Sequence, residues 1–505
     1  MKNNQKKLWG NAFDKQPLED VIKFTAGRDV HSVAPVDYKL LPYDIWGSKV
    51  HCVMLCEQKI ISKKDARSIL KGLSEIQTLA EKKQFNLSPE KEDVHTNVES
   101  WLINKYGIES AGKLHTARSR NDQCSVDTRL YLRDQVLTYV TQTVLLATSL
   151  IKHANQYKEY LTPGFTHCQH AMVTTLGHIL MAFATMIVRD TQRFIHWFNL
   201  HNTNPLGNTV AYGTSFPINQ QLTTKLLGFD NPDINSMDQI TNRWEAESDL
   251  AFAITNLMNH LSSLAHFIII LATPEFNMIK LADQFSTGSS IMPHKKNPDP
   301  LEVIKGKASL SSGSLQSLLS IGRANFIGFN RDTQWTKYLI TDLVDECLLS
   351  TKVVEGVIKT MTVNKKQMEY WCHRGFIGAT SLLEQLVNKY QLPFRKGKIV
   401  VEKAVKFSKG EHKVTFVALT KALKQESINI KVNQKQVSDW QDPQKIISST
   451  KSFGGPGLKS MKKSMQLLKI SILKQEKWLK KKKNAKHNAL TLLNKKIQII
   501  LKESE

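Results

Sequence analysis

Apolar residues recur at helical spacing through the middle of the chain. The segment from Asp122 to Tyr160 contains no proline or glycine, and its apolar positions follow the period of an α-helix. These positions are Val126, Leu130, Leu132, Val136, Val140, Val144, Leu145 and Leu150. Comparable segments lie at about 174–200 and 243–271, from about 299 onward, and at about 334–361. Long helices joined by irregular loops predict a helical bundle.

The pattern differs on either side of this bundle. The first hundred residues predict short helices and loops, and shorter elements return after Gln391. TPGFTH and the stretch rich in Gly, Asn and Pro at 201–219 are predicted loops. We expect an N-terminal helical domain at 1–115, a central bundle at 116–365 with a loop at 283–299, a small helical domain at 366–460 and a basic helical tail at 461–505.

Composition restricts the class of protein. The 505 residues are 41% hydrophobic and 23% charged, which is ordinary for a globular protein of two or three domains. No uncharged apolar run is as long as the roughly 18 residues that a membrane span requires, and no signal peptide is evident. We therefore expect a cytoplasmic protein without a membrane partner. Six cysteines are too few for a disulfide scaffold, and Cys52 and Cys56 lack a second pair for zinc, so both are expected to be buried.

The net charge of +24 would suit a nucleic-acid partner, but its distribution does not. Residues 459–505 hold 14 lysines and three glutamates, so 14 − 3 = +11 lies in the tail alone. No RNA-binding aromatic motif or zinc-finger spacing accompanies these lysines. We expect a solvated basic tail, with an amphipathic helix from Gln475 onward that is dispensable for chemistry, and no nucleic-acid partner.

The segment FSTGSSIMPHKKNPDPLE at 285–302 combines hydroxyls, prolines and cations. Pro293 and Pro298 exclude a helix through its middle. Asp299 fits an N-cap with Pro300 at the first helical position and Glu302 completing a capping box. A hydroxyl-rich loop that leads through cations into a helix start is suited to holding carboxylates. The alternative is a surface linker with incidental lysines.

The loop also matches a family signature. Its GSSxMPxKxN pattern, with glutamate five residues later, resembles that of the fumarase/aspartase superfamily. The matching residues are Gly288, Ser289, Ser290, Met292, Pro293, Lys295, Asn297 and Glu302. Four further segments resemble motifs of the argininosuccinate lyase branch and occur in the order found in that family. They are EDVHTNVES at 92–100, HTARSRNDQ at 115–123, PGFTHCQHA at 163–171 and GFNRDTQWTK at 328–337.

This resemblance implies an all-α, three-domain fold and a specific reaction. Such enzymes cleave argininosuccinate reversibly to arginine and fumarate without metal or organic cofactor. They form homotetramers around a core of long helices, and each active site draws on three chains. The reaction removes a weakly acidic proton beside a carboxylate, so an aci-carboxylate dianion must be stabilised by cations and amides.

The resemblance also implies residue roles. Ser289 would be the general base, and its loop must supply a dry site and N–H groups that lower its pKa. Lys295 would hold the substrate carboxylate with Asn297. His167 would supply the acid for the leaving nitrogen, held by Glu302. The remaining positions that resemble substrate-binding ones are His95, Thr96, Ser119, Arg120, Asn121, Thr166, Phe329, Gln334 and Lys337.

Some positions depart from the family pattern. Phe329 replaces a usual tyrosine, and Trp244 stands where aspartate is common. The other departures are Ala117, Gly27 near a substrate-binding serine of some relatives, and Lys396-Gly397-Lys398. Cys124 and Cys168 have no family role and are interpreted as packing. Three readings stay open: an argininosuccinate lyase, a lyase of the same mechanism on another N-succinyl or aspartate-type substrate such as adenylosuccinate, and an inactive structural homotetramer.

Overall fold

The structure, a computed structural model, describes residues 14–16, 18–26 and 34–502. Gly27 lies outside these residues. The first helices are α1 (Glu19–Ala26), α2 (Asp37–Glu57), α3 (Lys63–Glu81), α4 (Val94–Tyr106) and α5 (Ile108–Ala111). The sequence predicts only short helices here, and that prediction is wrong for α2 and α3, which have 21 and 19 residues.

Long helices and four two-stranded sheets make up the middle of the chain. The helices are α6 (Arg120–Gln156), α7 (Leu176–His201), α8 (Gln220–Leu227), α9 (Ser236–Thr241), α10 (Glu245–Leu271), α11 (Asp299–Ile321), α12 (Trp335–Cys347) and α13 (Ser350–Thr360). The strands are β1 (Leu161–Thr166), β2 (Gln169–Thr175), β3 (Thr203–Asn204), β4 (Asn231–Pro232), β5 (Ile279–Lys280), β6 (Thr287–Gly288), β7 (Lys296–Asn297) and β8 (Thr362–Val363). β1–β2, β5–β8 and β6–β7 pair antiparallel, and β3–β4 pair parallel.

Shorter helices and one very long helix complete the chain. They are α14 (Lys365–Trp371), α15 (Ala379–Tyr390), α16 (Phe394–Phe407), α17 (Phe416–Gln425), α18 (Gln434–Asp439), α19 (Pro443–Ser449) and α20 (Leu458–Lys502). The side chains of α15 to α17 form a hydrophobic cluster of their own, apart from the main core. The mainly helical fold class predicted from the sequence is confirmed.

The bundle is built around α6, which packs against α2, α7, α13 and α20. Its start is fixed by a capping box between Ser119 and Asp122. Within the core, the rings of Tyr139 and Phe194 stack with centroids 4.8 Å apart. Apolar packing of this kind along the full length of α6 and α7 explains how helices of this length stay ordered.

Helix α10 is the one helix of the described residues that is long and apolar enough to cross a membrane. Half of its apolar window is buried within the protein, and it packs against α7, α11 and α12. A buried bundle helix meets the same length and composition test, so this segment is explained by its place in the core.

Three local predictions are wrong. Residues 162–166 of the segment TPGFTH lie in β1 of a hairpin rather than in a loop, and the predicted helix at 334–361 is two helices, α12 and α13. The predicted N-cap, Asp299, is the first residue of α11, and its carboxylate instead accepts a hydrogen bond from the Thr287 hydroxyl. The capping box with Glu302 is therefore not formed.

The tail is a helix, as predicted. The prediction that it is solvated is wrong for one face, which is buried. Helix α20 packs against α3, α6, α7 and α8. Its buried residues include Ile472, Leu479, Leu493, Ile497 and Ile500. Polar contacts also fix it: Gln475 Nε2 donates to Val188 O at 2.9 Å, and Arg67 Nε donates to Ile500 O at 2.9 Å. The tail therefore belongs to the core.

Candidate active site

Two helix starts meet where several predicted site residues lie. Asp93 caps α4 by accepting a hydrogen bond from the N–H of Thr96 at 2.9 Å, and its carboxylate also pairs with Arg120 at the start of α6. The side chain of Ser119 accepts the N–H of Asn121 at 3.2 Å. Because helix starts carry free N–H groups and a partial positive charge, this junction favours anionic groups.

The buried carboxylate of Asp122 fixes the position of this junction. It accepts the N–H of Ser119 at 2.9 Å and, on its other oxygen, those of Gly207 at 3.0 Å and Thr209 at 3.1 Å. Burial raises the pKa of Asp122 to about 6, although these hydrogen bonds oppose the shift. The loop at 201–219 is thereby tied to the first turn of α6.

His95 is buried at the start of α4 between two carboxylates. Its Nδ1 lies 2.8 Å from Asp44 Oδ1 and 3.6 Å from Asp127 Oδ2. Burial alone would lower the pKa of His95, but the hydrogen bonds to Asp44 and Cys124 and the charges of Asp44 and Asp127 outweigh it and raise that pKa well above its ordinary value. These carboxylates therefore favour the imidazolium form of the ring.

Asp44, His95 and Asp127 also form one candidate metal site among the described residues, since one ligand atom from each lies within 4.8 Å of the others. Nδ1 of His95 already contacts Asp44 Oδ1, and burial with the charge of Asp44 raises the pKa of Asp127 well above its ordinary value, so the ring has one carboxylate to balance rather than two and no metal ion is required. We interpret the three residues as an ion-paired support for His95.

Cys124 adjoins the same histidine, so its interpretation as packing is wrong. Its half-buried sulfur accepts a hydrogen bond from Arg243 Nη2 at 2.8 Å and shares one with His95. The guanidinium of Arg243 lies 5.3 Å from the centroid of the Phe329 ring, where the family usually has tyrosine. Cys168, also read as packing, is exposed.

Lys337 brings the start of α12 to this group. Its buried ammonium pairs with Asp37 Oδ1 at 2.7 Å, and the other oxygen of Asp37 accepts the N–H of Val94 at 2.9 Å. Gln334 precedes α12 and donates from Nε2 to the Tyr338 hydroxyl at 3.4 Å. We call His95, Cys124, Arg243 and Lys337, with the helix starts at Ser119 and Thr96, the His95 cluster.

His167 occupies the tip of a hairpin. Thr166 pairs with Gln169, so His167 and Cys168 form a two-residue turn, with φ of 53° and 58°. Both residues in the left-handed region define the turn type that fits the twist of a hairpin. The tip is exposed, and no hydrogen bond or ion pair joins His167 to Glu302 among the residues that the structure describes.

Ser289 lies in a loop closed at its base by strand pairing. Thr287 pairs with Asn297 and Gly288 with Lys296, so residues 289–295 project as one lobe, which we call the Ser289 loop. Ser289 Oγ accepts the N–H of Met292 at 3.0 Å and that of Ile291 at 3.3 Å. Such donors favour the ionised form of a hydroxyl.

The predicted site residues thus fall into three groups within one chain. The first group belongs to or adjoins the His95 cluster and consists of His95, Thr96, Ser119, Arg120, Asn121, Phe329, Gln334 and Lys337. Thr166 and His167 lie at the hairpin tip. Ser289, Lys295 and Asn297 lie in or at the base of the Ser289 loop, and Glu302 is exposed on α11. In the described part of the chain, no hydrogen bond or ion pair connects the three groups.

Sequence reasoning missed four members or supports of the His95 cluster. Asp44 and Asp127 hold His95, and Cys124 and Arg243 adjoin it. Asp127 lies four residues after Gln123, the last residue of the HTARSRNDQ motif, which was a usable signal for a buried acid on α6. Asp44 carried no such signal, because its contact with His95 spans 51 residues of chain.

Comparison with known proteins defines the family. A family model described as lyase matches residues 27–312. The chain is 37% identical over 470 residues to an argininosuccinate lyase of Streptococcus suis, covering 92% of this chain and 98% of the relative. It is 34% identical over 460 residues to an argininosuccinate lyase of Nitratiruptor, covering 91% and 97%. The chain belongs to the argininosuccinate lyase family.

Solved structures agree with this membership. EDDS lyase in complex with formate is 26% identical, with a TM-score of 0.85 over 96% of each chain. A variant of EDDS lyase with bound fumarate gives a TM-score of 0.86 at 25% identity over 97% of each chain. A class II fumarase from Schistosoma mansoni, 14% identical with a TM-score of 0.67, shares the fold. As a member of the argininosuccinate lyase family, the chain is a lyase.

Proposed function

We propose that the protein eliminates fumarate from argininosuccinate to release arginine, and that it does so without a metal or organic cofactor. The observation that carries the proposal is the placement of the family motifs. They form two adjoining helix starts around a charged histidine, a histidine-tipped hairpin and a serine loop whose hydroxyl accepts two N–H groups. These are an anion-binding group, an acid and a base.

Ser289 is proposed as the general base. The N–H groups of Ile291 and Met292 stabilise its alkoxide, and the ammonium of Lys295 belongs to the same loop. The loop is exposed in one chain, so the dry site that a serine base needs must form when the loop closes over substrate. The proton removed from the carbon beside the carboxylate moves to Ser289 Oγ.

Lys295 and Asn297 are proposed to bind the carboxylate that becomes the aci-carboxylate. Because Asn297 is anchored by pairing with Thr287 while Lys295 lies in the projecting lobe, closure of the lobe would bring the ammonium to a fixed amide. A cation and an amide aimed at developing charge lower the barrier of the elimination.

His167 is proposed to donate the proton to the leaving nitrogen, supported by Glu302. The strained turn presents its imidazole at the tip of β1 and β2. In one chain His167 is exposed, and α11 carries Glu302 elsewhere on the surface. The pair therefore needs a second subunit, with His167 from one chain and Glu302 from another.

A homotetramer with shared sites follows from the same reasoning. Helix α11 buries few of its residues, and it exposes Leu310 and Leu319. Helix α10 exposes Phe252 and Ile270, and α6 exposes Leu145. Exposed apolar side chains on these long central helices mark an interface between subunits. We propose that these helices form the tetramer core, and that the enzyme acts in the cytoplasm.

The decisive experiment incubates the purified protein with argininosuccinate and follows fumarate by ultraviolet absorbance. Turnover is expected without added metal. Adenylosuccinate in a parallel reaction tests the second reading, since Phe329 lies against the guanidinium of Arg243. Turnover of adenylosuccinate alone would move the assignment to that substrate. Inactivity on both, with an intact tetramer by light scattering, would favour the structural role.

A further inference from the structure

The lysines of α20 divide into two sets according to the side of the helix that carries them. Helix α20 has 14 lysines. Four of them bond to side chains of α2, of α6 and of the residue before β4. These pairs are Lys482 with Asp230, Lys486 with Asp134, Lys496 with Glu57 and Lys483 with the Thr141 hydroxyl. This first set therefore helps to hold α20 against the bundle.

The other ten lysines of α20 are exposed and have no such partner. No hydrogen bond or ion pair joins any of their side chains to another residue that the structure describes. Because an α-helix has 3.6 residues per turn, the ten fall within about 140° of its circumference and extend over about 65 Å of its length. We call them the lysine stripe: Lys459, Lys462, Lys463, Lys469, Lys474, Lys477, Lys480, Lys481, Lys495 and Lys502.

The positive charge of the lysine stripe is not balanced within α20. Glu476 is the one acidic residue that the structure describes in this helix, and it lies about 20° outside the stripe. Lysines three or four residues apart, such as Lys477 and Lys481, repel each other along the helix. A long anionic partner would remove this repulsion. The stripe of a second copy of the chain would not, because it would set like charges against each other.

Exposed apolar side chains within the lysine stripe distinguish between anionic partners. Ile470, Leu473 and Ile499 lie on the same side of α20 and are 44%, 63% and 48% exposed. Aliphatic side chains beside lysines suit a lipid surface, where the apolar groups enter the interface and the ammonium groups reach the headgroups.

The features that favour nucleic acid are missing from the same helix. Helix α20 contains no arginine, the residue best suited to paired contacts with phosphate. Its one aromatic residue is Trp478, whose Nε1 donates to Asn199 Oδ1 at 3.3 Å and whose ring packs edge-on against Phe198. That ring is therefore engaged within the protein and does not offer a stacking surface for bases.

We propose that the lysine stripe binds the surface of a membrane rich in anionic lipid, so that α20 is a peripheral membrane-binding element. The ammonium groups contact the lipid headgroups, and Ile470 and Leu473 enter the interface between them. This proposal departs from the expectation of no membrane partner, which rests on the lack of a span in the sequence. Surface binding needs no span and is compatible with the proposed action in the cytoplasm.

The test sediments full-length protein with vesicles of phosphatidylcholine that contain about 30% phosphatidylglycerol, and with vesicles of phosphatidylcholine alone. Binding is expected only to the anionic vesicles, and it should weaken at least about tenfold between about 0.05 M and 0.5 M salt. Neutralising part of the stripe with glutamine, which preserves helix propensity, should weaken binding at least about tenfold. The changes are Lys474→Gln, Lys477→Gln, Lys480→Gln and Lys481→Gln in one variant.

The matched control removes the same charge from four exposed lysines on the small helical domain near the end of the chain. Its changes are Lys406→Gln, Lys409→Gln, Lys413→Gln and Lys424→Gln. This control is expected to bind anionic vesicles within about twofold of the unaltered protein. An equal loss in both variants would show that net charge rather than the lysine stripe holds the vesicles, and it would overturn the proposal. Circular dichroism and light scattering confirm that both variants fold and assemble.

A third variant, Ile470→Gln with Leu473→Gln, separates a lipid surface from nucleic acid. It should weaken vesicle binding at least about threefold and leave binding to duplex DNA unchanged. Tighter binding to duplex DNA than to anionic vesicles at the same salt would reassign the stripe to nucleic acid. Absence of vesicle binding at low salt would equally overturn the proposal. No measurement here uses argininosuccinate, so the result does not depend on the proposed function.

Discussion

Replacing Ser289 by alanine removes one hydroxyl from the Ser289 loop. The change frees two N–H groups, those of Ile291 and Met292, and both residues are exposed, so water can replace the lost acceptor. We therefore expect a change in the free energy of unfolding of no more than about 1 kcal/mol. Loss of a positioned base should reduce turnover by about 100-fold to 10,000-fold, or about 3 to 5.5 kcal/mol in the barrier.

The assay measures fumarate release at saturating argininosuccinate, together with thermal unfolding and light scattering of the variant. KM should stay within a few-fold, because the proposed carboxylate contacts come from Lys295, Asn297 and the helix starts. Ser290→Ala is the matched control, since Ser290 is exposed and next in sequence. Full turnover by Ser289→Ala, or loss of turnover by Ser290→Ala alone, would refute the assignment of the base.

Three further outcomes are expected. Leu493→Ala in α20 should lower the free energy of unfolding by about 2–5 kcal/mol in urea titrations, because Leu493 is 2% exposed in the main core; an effect below about 1 kcal/mol would contradict that role. Asp44→Asn removes a group that raises the pKa of His95, so the stability lost should be greatest below about pH 6.5 and shrink as pH rises through that raised pKa. A pH-independent difference would count against the ion pair. Prolonged EDTA treatment should leave turnover unchanged, and lost activity that zinc restores would reassign Asp44, His95 and Asp127 as ligands.

The long helices could be predicted because their signal is local and repeated. Apolar positions spaced at helical intervals placed α6, α7 and α10 within a few residues of where they lie. The hairpin at 161–175 was missed, since a proline and a glycine in β1 suggest a loop, and the pairing that makes it a strand comes from β2. Residues 334–361 read as one helix because no proline or glycine marks the break near Leu348.

Site chemistry was predictable where a motif is contiguous and not where it depends on a distant side chain. The Ser289 loop could be predicted because its motif is contiguous in the sequence. Cys124 was read as packing because its partner Arg243 is 119 residues away in the chain. Asp299 looked like a cap because its sequence context fits one, but Thr287 across the loop competes for its carboxylate. The tail was predicted to be solvated because it contains many lysines, but its apolar positions form a stripe that packs on the bundle.

The contacts of α20 determine when the chain can finish folding during synthesis. Arg67, near the start of the chain, hydrogen bonds to the carbonyl of Ile500, 433 residues later, and Lys496 pairs with Glu57 in the same region. At about 5–20 residues per second, a ribosome needs roughly 20 to 90 s to make the intervening chain. During that time the faces of α2 and α3 that α20 covers stay open to water. The nascent chain therefore presents that apolar surface to chaperones until α20 emerges.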